Sequence, residues 1–270
     1  MLLLIDAGNT RIKWALAAPG TAAGQWLASG VVSQSERDGL AEQWRGLDID
    51  AALVSNVAGL EVEAALAAQL QLHTSGAWCA VTWFRSMASL AGVRNRYRDP
   101  ASLGCDRFAS LIGARTLHPG QDLIVATGGT ATTVDALDAR GDFIGGMILP
   151  GLGLMAASLA RRTAQLPHIP AAALPSPGSS FLFADNTQDA IHNGCLAAQA
   201  GVIERAVAAH GGAHCLLSGG AAAWIAPHLP IPFTLVDNLV LIGLHAAAQA
   251  SSIGAPTRND SDTTGADRPC

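Results

Sequence analysis

Asp6 to Lys13 reads DAGNTRIK directly after the apolar run Met1 to Ile5, and these residue types can grip a phosphate together with its metal ion. Gly8 lets the backbone approach a ligand closely. Asn9, Thr10 and Lys13 offer donors, and Asp6 offers negative charge to Mg²⁺, directly or through water. The plan returns at Asp122 to Asp135, DLIVATGGTATTVD, where an apolar strand runs into Gly128, Gly129 and Thr130 and leaves through Thr132, Thr133 and Val134. Two strand-turn-strand clamps in one chain imply a nucleotide held between two related domains. The plainer reading of the first is a tight hairpin in which Gly8 and Asn9 serve the turn alone. Asp6 argues against it, because an acid at the strand end meets no turn requirement.

Lys13 is the only lysine, so a Walker loop ending in Gly-Lys-Ser/Thr is excluded, and Schiff-base chemistry would rest on that one residue. His210 and His214 are four apart but enclose Gly211 and Gly212, which spoil a helix and hence a shared metal-binding face; they read as solvated loop histidines. Neither a Gly-x-Ser-x-Gly elbow nor a His-Glu-x-x-His motif occurs.

The elements that must carry the clamps alternate between strand and helix. Met1 to Asp6, Lys13 to Ala18 and Trp26 to Val32 read as an antiparallel meander, followed by a helix over Arg37 to Arg45, a buried strand over Ala51 to Asn56, a helix over Leu60 to Leu70 and a short strand over Ala80 to Phe84. After a polar loop from Tyr97 to Leu103, Phe108, Leu111 and Ile112 recur at helical spacing, so a helix opening at Leu103 links the two halves with Asp106 and Arg107 at its exposed start. The second half repeats the plan with a meander over Leu123 to Ala126, Thr132 to Leu137 and Phe143 to Ile148, then helices over Leu152 to Ala160 and Asp189 to His210. Cys215 to Ser218 is a strand entering Gly219 and Gly220, and Leu239 to Ala250 is the last helix. Pro167 to Ser180 reads as a loop, and the polar residues 251–270 as a fraying tail.

A chain of 270 residues suits two cores, here residues 1–117 and 118–250, and with half its residues hydrophobic and 14% charged it has ample apolar surface to bury. The net charge of −5, with no basic stripe, argues against nucleic acid as a partner. No run is long enough to cross a bilayer, and Met1 to Ile5 is too short for a secretory core. Five cysteines, at 79, 105, 195, 215 and 270, form no close pairs and are odd in number, which fits a reducing cytoplasm.

In order along the chain, DAGNTRIKW, YRDPASLGCDR, GGTATTVD, IGGMILPG and NTQDAIHNG make it resemble the type III pantothenate kinases, or Bvg accessory factor family, over about residues 1 to 250. The resemblance implies an α/β fold of two related ribonuclease H-like domains, as in the acetate and sugar kinase/Hsc70/actin superfamily. It implies ATP-dependent phosphorylation of pantothenate, the first committed step toward coenzyme A, by a homodimer whose substrate site lies at the subunit interface. ATP phosphates would then lie on Asp6, Ala7, Gly8, Asn9, Thr10, Arg11, Ile12, Lys13 and Thr130.

By the same likeness Asp106 is the proton acceptor for the pantothenate hydroxyl, within a pocket shaped by Tyr97, Gly104, Cys105 and Arg107. One carboxylate suffices for a loose phosphoryl-transfer transition state, in which the hydroxyl proton leaves late. An acid in a first helical turn also complements the helix dipole, which would lower its pKa. Arg107 suits the pantothenate carboxylate, with an ion pair to Asp99 as the alternative. Tyr97 either walls the pocket or caps a loop, and Thr187, similar to a threonine that reaches pantothenate from the partner subunit, also sits where a helix is capped. Gly219 and Gly220 resemble the adenosine-side bend or form a simple strand-to-helix turn. Thr127 stands where much of the family has an aspartate that helps bind a monovalent cation, K⁺ or NH₄⁺, so little potassium dependence is expected. Two other functions fit the clamps: a kinase for another small alcohol, and a nucleotide-binding regulatory protein without turnover.

Overall fold

The computed structural model describes residues 1–74, 80–162 and 182–251. The loop expected over 167–180, and all but Ser251 of the tail expected over 251–270, lie outside the described residues. Leu2–Ala7 (β1) is central because nearly every side chain on it is apolar and can be buried on both faces. Arg11–Ala17 (β2) pairs antiparallel with it and Ala28–Ser33 (β3) with β2, while Ala51–Asn56 (β4) and Ala80–Trp83 (β5) add parallel on the other side, giving the order β3-β2-β1-β4-β5. The sheet's outer face packs Leu3, Ile5, Trp14 and Val54 against Leu40–Gln43 (α1) and Leu60–Thr74 (α2).

The second sheet repeats the arrangement. Ser89–Leu90 (β6), Val93–Asn95 (β7) and Cys105–Leu117 (α3) precede its centre. Leu123–Gly128 (β8) is flanked antiparallel by Ala131–Leu137 (β9), which in turn pairs with Asp142–Pro150 (β10). Leu152–Arg162 (α4) and Thr187–Ala209 (α5) follow, then His214–Ser218 (β11), Ala222–Ile225 (α6), Phe233–Leu235 (β12) and Leu239–Ala250 (α7). The order is β12-β11-β8-β9-β10-β7-β6, so five of its seven strands reproduce the first sheet. Their registers agree too: Asp6 lies opposite Lys13 and Ser55, and Thr127 opposite Thr133 and Ser218. Asp6 and Thr127 are therefore equivalent positions.

α3 and α7 form the layer between the sheets. Leu4 and Leu53 of the first sheet and Val125 and Leu137 of the second meet Phe108, Leu111, Leu241 and Leu244 in one core. The two helices touch through glycines: a Cβ on Gly243 would stand 1.7 Å from the Ala109 carbonyl oxygen, and one on Gly113 2.6 Å from that of Leu239. Although β6 and β7 come from the first 117 residues, they extend the second sheet; α7, from the second half, packs on β1 and β4.

Three expectations change. Gln34–Gly39 is a 3₁₀ turn opened by a Ser33–Glu36 capping box, so the helix expected over Arg37 to Arg45 shrinks to α1. α3 starts at Cys105, because Pro100–Ser102 makes its own 3₁₀ turn capped by Asp99 and Gly104 is the N-cap. His210 and His214 are half-buried rather than solvated: His210 Nε2 is 3.2 Å from the Leu137 carbonyl oxygen, and His214 Nε2 is 2.9 Å from Thr234 Oγ1.

Gly243→Ala should cost about 3 kcal/mol or more, since the backbones would have to separate. Gly201→Ala on α5, where nothing lies within 4 Å, should stabilise by about 0.5–1 kcal/mol. Denaturant melts of the two variants check the contrast; equal midpoints would refute the close crossing.

Candidate active site

Both clamps fold as hairpins facing one another across the cleft. Gly8 N–H donates to the Arg11 carbonyl at 3.1 Å, and Gly129 N–H donates to that of Ala131 at 3.0 Å. Gln34 secures the first turn by donating to the Gly8 carbonyl from Nε2 at 2.6 Å. Thr10 Oγ1 and Thr130 Oγ1, 120 residues apart in sequence, lie 2.7 Å from each other. Asn9, Thr10, Arg11 and Thr130 are exposed there, and Lys13 is half-buried. Ala7 and Ile12 point their side chains into the outer core, so they can offer a ligand only backbone groups. The bend after β11 docks on the second clamp. Gly219 has φ +91, Ala221 N–H donates to the Gly128 carbonyl at 3.0 Å, and a Cβ on Gly219 would stand 2.2 Å from that oxygen.

On β1, Asp6 follows Leu4 on the face turned toward the middle helices and comes near the start of α3. Ser55 Oγ is 3.3 Å from Cys105 Sγ, which also lies 3.5 Å from the Asn56 carbonyl oxygen, so the first turn of α3 is seated on the end of β4. Gly104 has no side chain with which to cap that turn, and Asp106 Oδ1 instead accepts the Arg107 N–H at 2.8 Å. A Cβ on Gly104 would stand 2.7 Å from that same oxygen.

Burial raises the Asp6 pKa to about 7; Asp106 adds to the rise and Lys13 opposes it. Burial also raises Asp106, overcoming the Arg107 backbone hydrogen bond and the Arg107 charge. The helix-dipole argument alone predicts the opposite sign. Desolvation wins because the carboxyl sits where the first turn of α3 is seated against the ends of β1 and β4, rather than at an open helix end. The Cys105 thiol is likewise held above its ordinary value by burial.

Arg107 is buried, and its guanidinium is committed within the chain. Nε donates to Asp135 Oδ2 at 3.1 Å, Nη2 donates to Asp135 Oδ1, and Nη1 donates to Tyr97 Oη at 2.9 Å. Its acidic partner is Asp135; Asp99 instead caps the Pro100–Ser102 turn by accepting the Ala101 N–H. Tyr97 therefore faces the pocket residues, and its ring lies 5.2 Å from that of Phe143. Thr187 is not gathered with them. It opens α5 behind the N-cap Asn186 and lines an open groove of about 620 Å³ with Pro150, Met155, Ser158, Ile191 and Cys195. Asp135, Ser55 and Phe143 join the site without having been singled out; Asp135 closes the GGTATTVD motif, which is the one signal that pointed there.

Two sheets of common strand order and a pair of facing hairpins, with acids at their base, define a mixed α/β fold built from two related halves. Solved structures share the fold: a Baf family protein from Campylobacter jejuni matches with a TM-score of 0.58 at 17% identity, over 93% of this chain and 98% of its own. The activator of the 2-hydroxyisocaproyl-CoA dehydratase from Clostridium difficile matches with a TM-score of 0.51 at 15% identity, over 98% and 99%. The chain belongs to the type III pantothenate kinase family, whose profile matches residues 2–209. Proteins so named from Janthinobacterium sp. (strain Marseille) and Aromatoleum aromaticum are 58% and 48% identical to it, each over 92% of this chain, and over 97% and 98% of their own lengths.

The Asp6 shift sets a sign for stability. Between about pH 4 and pH 7 the folded chain keeps a proton that the unfolded chain has lost, so Asp6 costs stability increasingly as pH rises. In metal-free buffer with EDTA, Asp6→Asn should melt at a higher temperature than the parent at pH 8, with the gap closing toward pH 4. A gap independent of pH would contradict the shift.

Proposed function

We propose that the cleft carries out ATP-dependent phosphorylation of pantothenate to 4′-phosphopantothenate, the first step of coenzyme A biosynthesis. The observation that carries this reading is the meeting of Asp6 and Asp106 at the base of two facing, glycine-bearing hairpins. The hairpins hold the ATP phosphates through backbone N–H groups and the hydroxyls of Thr10 and Thr130. Asp106 accepts the proton of the pantothenate hydroxyl, and its raised pKa brings it closer to the range in which a general base is effective. Tyr97, Gly104, Cys105 and Arg107 wall the acceptor pocket, where Arg107 keeps one unspent proton on each terminal nitrogen.

Mg²⁺ suits Asp6, because a buried carboxylate repelled by Asp106 is relieved by a divalent cation. When bound, it supplies charge neutralisation for the terminal phosphates. Thr127, beside Thr133 and Ser218, offers hydroxyl oxygens without charge, so turnover depends little on K⁺ or NH₄⁺. Residues 1–117 and 118–250, apart from the β6–β7 hairpin and α7, act as two bodies that close on the nucleotide and exclude water.

A homodimer would bring Thr187 to the partner's acceptor pocket. Exposed Ile144, Met147 and Ile148 on β10, Leu154 on α4, and Leu182 and Phe183 before α5 supply an apolar surface for it. We place the enzyme in the cytoplasm, where the free thiols of Cys105, Cys195 and Cys215 stay reduced. Among the described residues no helix is long and apolar enough to cross a membrane.

Incubating the protein with ATP, Mg²⁺ and pantothenate should yield phosphopantothenate by mass spectrometry; no product would refute the assignment. Asp106→Asn should reduce kcat by about 10²–10⁴ while ATP affinity persists, and near-parental turnover would remove Asp106 from the chemistry. Replacing K⁺ by a bulky organic cation should change kcat less than about twofold, whereas an absolute K⁺ requirement would overturn that expectation.

A further inference from the structure

Asp135 lies on β9 directly opposite Gly146 of β10, with 1% of its surface exposed. Its carboxylate receives two donors from one guanidinium, Nε and Nη2 of Arg107. That guanidinium also donates to Tyr97 Oη at 2.9 Å, and its central carbon lies 5.6 Å from the Tyr97 ring centroid and 5.8 Å from that of Phe143. The backbone N–H of Arg107 in turn holds Asp106 Oδ1 at 2.8 Å. A single chain of contacts therefore runs from a buried acid, through one arginine, to both the aromatic wall and the acid at the start of α3.

Gly146 is the space in which this chain fits. A Cβ there would stand 1.9 Å from Asp135 Oδ1 and 2.5 Å from Arg107 Nη2, with the Val134 carbonyl oxygen at 2.9 Å on another side. Neither the carboxylate nor the guanidinium can swing clear without breaking the forked contact. The glycine thus keeps the pair in place by leaving it room, and it contributes no charge or donor of its own.

We propose that Asp135 is a positioning residue for the acceptor, acting through Arg107. A lone arginine in the pocket would be a mobile cation able to collapse onto Asp106 itself. Forked to Asp135, it is neutralised and fixed in direction, so that it orients Tyr97 and meets the acceptor carboxylate with aimed N–H donors rather than with free charge. Asp106 is held by backbone N–H groups, that of Arg107 and its own, rather than by the guanidinium, and keeps its side chain available to the acceptor hydroxyl. This role deepens the pantothenate kinase reading and rests on it.

Asp135→Asn is nearly isosteric and tests the role by steady-state kinetics in pantothenate, paired with titration of a non-hydrolysable ATP analogue. The pantothenate KM should rise about tenfold or more and kcat should fall, with nucleotide affinity within about twofold of the parent. Gly146→Ala, which alters no charge, should shift the same parameters in the same direction. Tyr97→Phe breaks the far end of the chain and leaves the buried pair intact; it should raise the pantothenate KM by itself and combine non-additively with Asp135→Asn. Parental pantothenate kinetics in Asp135→Asn, or a loss of nucleotide affinity in proportion to the loss of pantothenate affinity, overturns the proposal. If Asp135→Asn does not fold, Tyr97→Phe decides: a raised pantothenate KM with unchanged nucleotide affinity supports it, and a parental KM overturns it. A parent chain that does not phosphorylate pantothenate fails the kinase reading and this role together, whereas an active parent with an indifferent Asp135→Asn fails this role alone.

Discussion

The contact between α3 and α7 is the constraint on which the rest of the molecule depends. Gly113 and Gly243 let two helix backbones approach more closely than any side chain would permit, and that closeness lets a single helical layer pack against both sheets. Because the layer is shared, the start of α3 is set against the ends of β1 and β4 by packing rather than by flexible loops. The separation between Asp6 and Asp106 is thus fixed by a hydrophobic core some distance from either carboxylate. Sites built on rigid elements in this way hold geometry better than sites built on loops.

Carboxylates outnumber cations at the cleft floor. Asp6, Asp106 and Asp135 are all raised by burial, and the electrostatic influence of Asp106 is felt at both of the others. Arg107 is spent on Asp135, which leaves Lys13 as the cation opposing the charge of Asp6. The deficit suits a phosphate-bearing ligand that arrives with its own divalent cation, since an unaccompanied triphosphate would meet carboxylates. The equivalence of Asp6 and Thr127 sharpens this asymmetry: the same strand position is acidic in one sheet and neutral in the other, so charge gathers on one wall of the cleft.

Much of this was legible in the sequence where a pattern is local. Leu2 to Ile5 is a continuous apolar run before Asp6, and the glycines of both clamps mark where strands turn, so the central strands and the hairpins could be read directly. What escaped was set by tertiary context. The β6–β7 hairpin turns through Ala91 and Gly92, both with positive φ, and an alanine there gives no turn signal of the Asn-Gly kind. β12 is three residues long and is a strand only because β11 lies beside it. In the site, the type and order of the motifs pointed to Asp6, Thr130 and Asp106. The partner of Arg107 did not follow, because Asp135 is 28 residues away and reaches the helix from a strand of the second sheet. The direction of the Asp106 shift was hidden for the same reason: helix position is local, whereas burial against distant strands is not.

Tyr97 is the only tyrosine among 270 residues, and its phenol oxygen accepts from the Arg107 guanidinium. A phenolic signal from this protein therefore has a single origin. Chain labelled with fluorotyrosine carries one ¹⁹F resonance, and that resonance reads the hydrogen bonding and ring packing of the pocket with no overlap from elsewhere. The protein thus contains its own spectroscopic gauge of the contacts that Tyr97 makes with Arg107 and Phe143.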